Sequence, residues 1–128
     1  MEIRKYRKED EDALFDLMKR EGEEWADYWE KEDGRLKYIE ALRLATTTYV
    51  VIEDGLLCGF ARAIGSFTIY VDDLLVDKQY RGRSFGKLLM DAILDEFPDK
   101  GVYVMSDVDE YYAKLGYEKA GTIFAVRA

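Results

Sequence analysis

The segment Arg81 to Lys87 combines glycine and positive charge in an otherwise acidic chain. It reads Arg-Gly-Arg-Ser-Phe-Gly-Lys and lies between a β-type stretch and a periodic helical stretch. The first N–H groups of a helix have no internal partner and the helix dipole is positive there, so such a junction suits anions. Gly82 and Gly86 let a ligand approach the backbone closely. The segment predicts a phosphate-binding loop, with a basic surface turn as the simpler alternative.

Two other anion-binding loops do not fit this spacing. A Walker loop has four residues between its glycines and Ser or Thr after its lysine, whereas three residues separate Gly82 from Gly86 and Leu88 follows Lys87. The dinucleotide fingerprint has a glycine where Ser84 stands.

Two acidic features accompany the loop. Asp72 and Asp73 are adjacent in a predicted strand. Because neighbouring strand residues face opposite sides, at least one acid should lie on a covered face or line a cleft, unless both are solvated or cap the loop. The segment Glu21 to Asp33 has seven acids, one lysine and three large aromatic residues, Trp25, Tyr28 and Trp29. Such a surface suits a cationic partner, through charge and cation–π contact, or is a solvated acidic helix with its tryptophans on the core.

Composition excludes several classes of function. The net charge of −8 argues against nucleic-acid binding. With no histidine and a single cysteine, the chain has no Ser-His-Asp triad, no Cys-His pair and no thiolate or histidine metal site, so we expect no metal. No apolar run is long enough for a membrane span and the charged N-terminus does not resemble a signal peptide, so we expect a cytoplasmic protein with no membrane partner.

The periodicity of the chain predicts one domain over residues 1–128, of the α+β class. Helices are predicted where apolar residues recur at helical spacing, and strands where β-branched residues cluster between turns. The predicted helices are Lys8–Arg20, Arg35–Ala45, Phe85–Phe97 and Asp109–Leu115, and the predicted strands are Glu2–Arg7, Thr47–Glu53, Leu57–Ile64, Phe67–Val76 and Val102–Met105. Residues Tyr117–Ala128 have room for one or two closing strands.

Two motifs in this order resemble a known family. The stretch Leu75–Leu89 is similar to the coenzyme A motif of the GCN5-related N-acetyltransferase (GNAT) superfamily, Arg/Gln-x-x-Gly-x-Gly/Ala between a strand and a helix. Tyr111–Tyr117 resembles the Phe-Tyr-x-x-x-Gly-Phe segment of the same superfamily. The resemblance implies a mixed, mostly antiparallel central sheet flanked by helices, with acetyl-CoA as the co-substrate.

The resemblance also implies site residues. The backbone of Leu74, Leu75 and Val76 would bind the pantetheine arm, and the loop from Arg81 through Gly82, Arg83, Ser84, Phe85 and Gly86 to Lys87 would bind the pyrophosphate. Tyr112 would be the general acid toward the leaving thiolate, with packing in an aromatic cluster with Tyr111 and Tyr117 as the simpler alternative. Tyr111 would be a core residue. Asp72, ahead of Asp73, would be the base near the amine. The sequence departs from the motif at Ser84, which replaces a glycine, and at Lys78, which replaces a frequent proline; it also has no asparagine, which family members often use near Tyr112.

The function implied is direct transfer of an acetyl group from acetyl-CoA to a primary amine. Because alkylamines have a pKa near ~10.4, the enzyme must remove a proton from the amine before it can react. The acidic, aromatic segment from Glu21 to Asp33 lies where members of the superfamily commonly form a wall of the acceptor site. It favours a small cationic amine, such as a polyamine or amino sugar, as the acceptor. Trp25, Tyr28 and Trp29 would contact this acceptor. The alternatives are a protein N-terminal or lysine acetyltransferase and a non-catalytic acyl-CoA-binding regulatory module. A homodimer is a further expectation.

Overall fold

The centre of the structure, a computed structural model that describes all residues 1–128, is a five-stranded sheet. Its strands, in spatial as well as chain order, are β1 (Glu2–Lys5), β2 (Thr47–Glu53), β3 (Leu56–Gly65), β4 (Ile69–Val76) and β5 (Val102–Val104). Strands β1 to β4 pair antiparallel, and β5 is parallel to β4. The parallel pair follows from the helix that connects β4 to β5, because a crossover returns the chain in the same direction.

Helices cover both faces of the sheet. They are α1 (Glu11–Glu21), α2 (Ala26–Trp29), α3 (Glu32–Leu44), α4 (Phe85–Glu96) and α5 (Asp109–Lys114). One core cluster joins α1 and α3 to the face that carries Val50 and Phe60. The second joins α4 to the opposite face, which carries Ala61 and Val71. The α+β class and the mixed, mostly antiparallel sheet predicted from sequence are confirmed.

The prediction of closing strands in Tyr117–Ala128 is wrong, because the chain forms neither helix nor strand after α5. Residues 118–128 are all exposed, although Ile123, Phe124 and Val126 favour strands. Strand propensity acts through packing and pairing with a neighbour, and this segment pairs with no strand of the chain. Elsewhere the boundaries differ by a few residues; for example, Lys8–Asp10 is a 3-10 turn ahead of α1, and α3 begins at Glu32. None of the helices is both long and apolar enough to cross a bilayer.

Candidate active site

Strand β4 separates from β5 halfway along its length. Their parallel pairing ends at Val71 and Val104, whereas β4 continues to Val76. On its other edge, β4 remains paired with β3 throughout the stretch Leu74–Val76. This stretch therefore has one free backbone edge, to which an extended ligand can bind as an additional strand would. These are the residues that the sequence motif assigns to the pantetheine arm.

The loop after β4 turns the chain into α4 through two left-handed residues, Gly82 (φ 84°) and Ser84 (φ 65°). The first helical hydrogen bond runs from Leu88 N–H to Ser84 C=O, at 3.0 Å. The N–H groups of Phe85, Gly86 and Lys87 precede it and so have no partner inside the helix. A left-handed conformation costs a non-glycine residue about 1–2 kcal/mol, which explains why the family motif has glycine where this chain has Ser84. Three successive N–H groups at the positive end of a helix fit a pyrophosphate.

Each of the three loop cations has a partner within the chain. Arg81 forms an ion pair with Glu21 at 2.7 Å and donates to the carbonyl of Val76 at 3.1 Å. Lys87 pairs with Asp91 at 2.8 Å, one helical turn further on. Arg83 stacks over the ring of Tyr80, with its guanidinium carbon 5.1 Å from the ring centroid. Arg81 therefore braces the loop against α1 and β4 in addition to its predicted attraction for the ligand.

A buried carboxylate that the sequence analysis did not single out, Asp77, fixes the start of this loop. Its side chain is 5% exposed, accepts a hydrogen bond from Gln79 N–H at 2.9 Å and pairs with Arg20 of α1 at 2.7 Å. Arg20 also donates to the carbonyl of Leu57, at 3.2 Å. Burial by itself raises the pKa of Asp77, but the hydrogen bonds from Gln79 and Arg20 outweigh it and the pKa is lowered. An aspartate two residues before a turn N–H is an Asx-turn signal that marks this role in the sequence.

The two tyrosines of α5 differ in their contacts, and Tyr111 is the one that meets the start of α4. The Tyr111 hydroxyl lies over Gly86, 2.1 Å from the position of an ideal Cβ there. Tyr111 is 40% exposed, so its prediction as a core residue is wrong. Tyr112 is half-buried, with its ring stacked on Tyr117 at 6.2 Å. Burial, and after it the neighbouring groups Tyr111, Asp107 and Tyr117, raises the pKa of Tyr112 to about 12, so its phenol keeps its proton at neutral pH.

A β-bulge places Asp72 and Asp73 together. Asp73 lies opposite Arg62 of β3, Val71 lies opposite Ala63, and Asp72 is the additional residue between them. Both acids consequently reach the same guanidinium: Arg62 Nε donates to Asp73 at 2.8 Å and its terminal nitrogen pairs with Asp72. The expectation that the two acids face opposite sides is wrong, because strict alternation does not hold across a bulge.

The two carboxylates differ in access. Asp73 is 12% exposed and also accepts a hydrogen bond from the Tyr38 hydroxyl at 2.7 Å, whereas Asp72 is 33% exposed and lines a cleft. Burial would lower the pKa of Arg62, but its partners, Asp73 and Tyr38 above all, raise it, so Arg62 stays charged. Arg62 and Tyr38 were not predicted as site residues. The available signal was an arginine between two alanines within an apolar strand.

The cleft beside Asp72 has a volume of about 520 Å³ and is walled by α2 and α3. Its lining includes four acids and three bases, namely Asp27, Glu30, Asp33, Asp72, Lys31, Lys37 and Arg62. The three bases offset much of the negative charge that the sequence segment Glu21 to Asp33 suggests.

Of the three aromatic residues predicted to contact the acceptor, Tyr28 alone lines this cleft, with its ring 5.0 Å from that of Tyr38. Trp25 packs edge-on against Phe60 at 5.9 Å. Trp29 also packs on the core, with Lys19 Nζ 5.8 Å from the centroid of its ring. The two tryptophans therefore pack between the core and the residues that line the cleft, and do not line the cleft themselves.

A helix start with three unpaired N–H groups, an adjoining open strand edge and a cleft with a carboxylate are the features expected of an acyl-CoA-dependent N-acyltransferase. The sequence model of the Acetyltransferase (GNAT) family matches residues 11–117, and the chain belongs to this family. The family that the two sequence motifs predict is therefore confirmed.

Solved structures share this fold over nearly the whole chain. A GNAT-family acetyltransferase from Streptococcus pneumoniae matches with a TM-score of 0.76 and 19% identity, covering 99% of this chain and 98% of that one. An aminoglycoside N-acetyltransferase in complex with CoA matches with a TM-score of 0.75 and 17% identity, covering 99% and 93%. A ribosomal-protein-alanine N-acetyltransferase from Brucella melitensis biovar Abortus 2308 matches at 0.76 and 18%, covering 99% and 98%.

Proposed function

We propose that this enzyme transfers the acetyl group of acetyl-CoA directly to the primary amine of a small cationic acceptor. The observation that carries the proposal is the separation of β4 from β5 beside the N-terminus of α4, with the carboxylate of Asp72 on the same strand. Within one strand and one loop, this arrangement would supply a binding edge for the thioester arm, donors for the pyrophosphate and an acid for the amine. The similar aminoglycoside enzyme, bound to CoA, is a precedent for a small-amine acceptor on this fold, as the ribosomal-protein enzyme is for a protein acceptor.

The backbone supplies the cofactor contacts of the proposed site. The N–H groups of Phe85, Gly86 and Lys87 would donate to the pyrophosphate, and the free edge of Leu74–Val76 would hydrogen-bond the pantetheine amides. Bound there, acetyl-CoA supplies an acetyl thioester. Asp77 and Arg81 keep the loop in its binding conformation through their links to α1.

Side chains supply the proton transfers. Asp72, with its exposed fraction of 33%, would accept a proton from the acceptor ammonium, directly or through water. Arg62 holds that carboxylate in place and leaves the pair of acids with one net negative charge, which suits a single ammonium group. Tyr112 holds a proton on its phenol oxygen at neutral pH and would be the donor for the leaving sulfur. Acetyl-CoA and a single buried cysteine are consistent with a reducing cytoplasm, which forms part of the proposal.

Two measurements test the proposal in sequence. Acetyl-CoA is expected to raise the melting temperature, because a ligand that binds only the folded state stabilises it. A thiol-release assay is then run with amino sugars, arylalkylamines, polyamines and an N-terminal peptide. Release with a small amine supports the proposal; release with the peptide alone favours a protein N-acetyltransferase; and a thermal shift without release favours an acyl-CoA-binding module.

A further inference from the structure

Two tyrosines form an exposed, stacked pair on the sheet face that carries Asp72. Tyr70 of β4 is in register with Tyr103 of β5, and their ring centroids lie 5.6 Å apart at an interplanar angle of 27°. The rings are 50% and 42% exposed. Since Ile69 and Val71 are buried against α4, alternation places Tyr70 on the opposite face, which is also the face of Arg62 and Asp72.

The Tyr103 ring of the pair packs against the backbone of Gly101, where an ideal Cβ would come within 3.1 Å of ring atom Cε2. Ile64 of β3 pairs with Tyr70 and is itself 39% exposed, which extends the apolar surface by one strand. Helices α1 and α3 cover Phe60 on this face but leave Ile64, Tyr70 and Tyr103 open. The result is a flat, supported aromatic surface.

The order of groups along β4 relates this surface to the amine. Tyr70 comes first, then Asp72, then Leu74–Val76, where the thioester arm would bind. Tyr70 lies two residues before Asp72, on the side away from the thioester, and a regular strand would separate them by about 7 Å, which the bulge at Asp72 shortens. An acceptor whose amine reaches Asp72 therefore has two directions for the rest of its body, into the charged cleft or over the two tyrosines. The tyrosine surface carries no charge, so it recognises shape and apolar area.

We infer that Tyr70 and Tyr103 form a specificity-determining subsite that binds a ring of the acceptor by stacking. The inference rests on the proposed acetyltransferase function and names its substrate class: primary amines carried on a ring, either amino sugars or arylalkylamines, in preference to linear polyamines. A ring gains stacking contact with the tyrosine faces, whereas a linear polyamine has no flat face to stack on them.

The test compares kcat/KM for glucosamine, phenethylamine and spermidine in wild type, Tyr70→Leu and Tyr103→Leu. Leucine keeps apolar bulk but removes the flat face. We expect KM for a ring amine to rise by about 3- to 10-fold with kcat nearly unchanged, the scale of one aromatic stacking contact, while spermidine kinetics stay the same. The ring amine that loses more identifies the source of the ring, sugar or aryl. Phe124→Leu, which alters an 83% exposed aromatic residue in the C-terminal segment, is the matched control.

Several outcomes overturn the inference while leaving the acetyltransferase function intact. These are a wild-type preference for spermidine, or an equal loss for ring and linear amines in the tyrosine variants. A change from dimer to monomer on Tyr103→Leu, measured by light scattering, would make the pair an interface between two copies. If no amine is turned over, the proposed function fails, and saturation-transfer NMR of phenethylamine and glucosamine on wild type and Tyr70→Leu still decides whether the rings bind.

Discussion

The hydroxyl oxygen of Tyr111 lies 2.1 Å from the position that a Cβ atom on Gly86 would occupy. Gly86 does not have a positive φ, so its backbone conformation is open to any residue. The glycine instead leaves room for the end of the Tyr111 side chain, which occupies the space that a Cβ atom would need. The second glycine of the coenzyme A motif thus joins the pyrophosphate loop to the helix that carries Tyr112.

We therefore predict that Gly86→Ala displaces Tyr111 and weakens acetyl-CoA binding. Overpacking of a closed core costs typically about 1–3 kcal/mol, but the Tyr111 side chain is 40% exposed and can rotate away. We therefore expect a cost of about 1 kcal/mol or less, equivalent to a loss in affinity of at most roughly 5-fold. Isothermal titration calorimetry measures it. In the double variant, Tyr111→Ala should restore much of the lost acetyl-CoA affinity, because it removes the atom that clashes with the new Cβ. If the affinity losses of the two single variants simply add in the double variant, the clash lies elsewhere.

Tyr112→Phe is predicted to keep acetyl-CoA affinity and lower kcat by roughly 10²-fold, the scale of one proton-transfer group. Because the pKa of Tyr112 is raised to about 12, the phenol stays protonated through the assay range. The wild-type rate should consequently show no loss from Tyr112 ionisation below about pH 11. Stopped-flow or steady-state thiol release across pH 6 to 10 tests both points, and turnover near the wild-type value would reduce Tyr112 to a packing partner of Tyr117.

Asp72→Asn and Asp73→Asn are predicted to differ in kind. Asp72 is the more exposed acid and lines the cleft, so its amide variant should lower kcat and move the pH optimum upward while the unfolding free energy changes little. Asp73 is bound by Arg62 and Tyr38, so its variant should cost about 1.5–3 kcal/mol of stability, the range for hydrogen bonds to a charged group. Urea unfolding beside steady-state kinetics separates the two, and the reverse pattern would exchange their roles.

The sequence predicted most of the fold because its signals are local. The period of α4, the turn before β3 and the glycines of the loop each act within about ten residues of chain. The family resemblance then supplied the mixed, mostly antiparallel character of the sheet. Helix α2 was not predicted, and the closing strands predicted after Tyr117 are absent. The second of these failures concerns a property that is not local, since a strand exists only where it has a partner edge.

The cofactor half of the site was easier to predict than the acceptor half for the same reason. The loop from Gly82 to Lys87 acts through its own backbone. Arg62 meets Asp72 only through a bulge, and Tyr38 reaches Asp73 from α3, across 35 positions of sequence. Nothing in the spacing of Trp25 and Trp29 distinguishes a tryptophan that faces a ligand from one that supports the wall.

Stability is predicted to fall in acid partly through Asp10 and Asp77. The pKa of Asp10 is lowered by the hydrogen bond from Arg4 and by further bonds, including one from Arg7 N–H, although burial alone would raise it. The pKa of Asp77 is lowered too. A carboxyl with a lower pKa in the folded state contributes stability above its unfolded pKa of about 3.9, and this is lost as pH falls from about 5. Asp77→Asn should therefore flatten the dependence of unfolding free energy on pH between 5 and 3. The exposed Asp99→Asn is the control, and an identical slope in both variants would contradict the assignment.

Attraction of a cationic acceptor is predicted to depend on Asp27, which lines the cleft, and little on Glu23, which belongs to the same acidic segment but lies outside it. Both side chains are exposed, so their charges act through solvent and are screened over about 8 Å at physiological ionic strength. Asp27→Lys should raise KM for the cationic acceptor at low salt with kcat nearly kept, because a charge remote from the reacting atoms acts on binding. The difference in KM between the variant and wild type should narrow as salt increases.

Glu23→Lys is the control, because it makes the same charge change and should leave KM close to the wild-type value. If the two variants raise KM equally, the net charge of the segment, and not the cleft, attracts the acceptor. If neither variant changes KM, the segment is only a solvated face, and the support for a cationic substrate is removed.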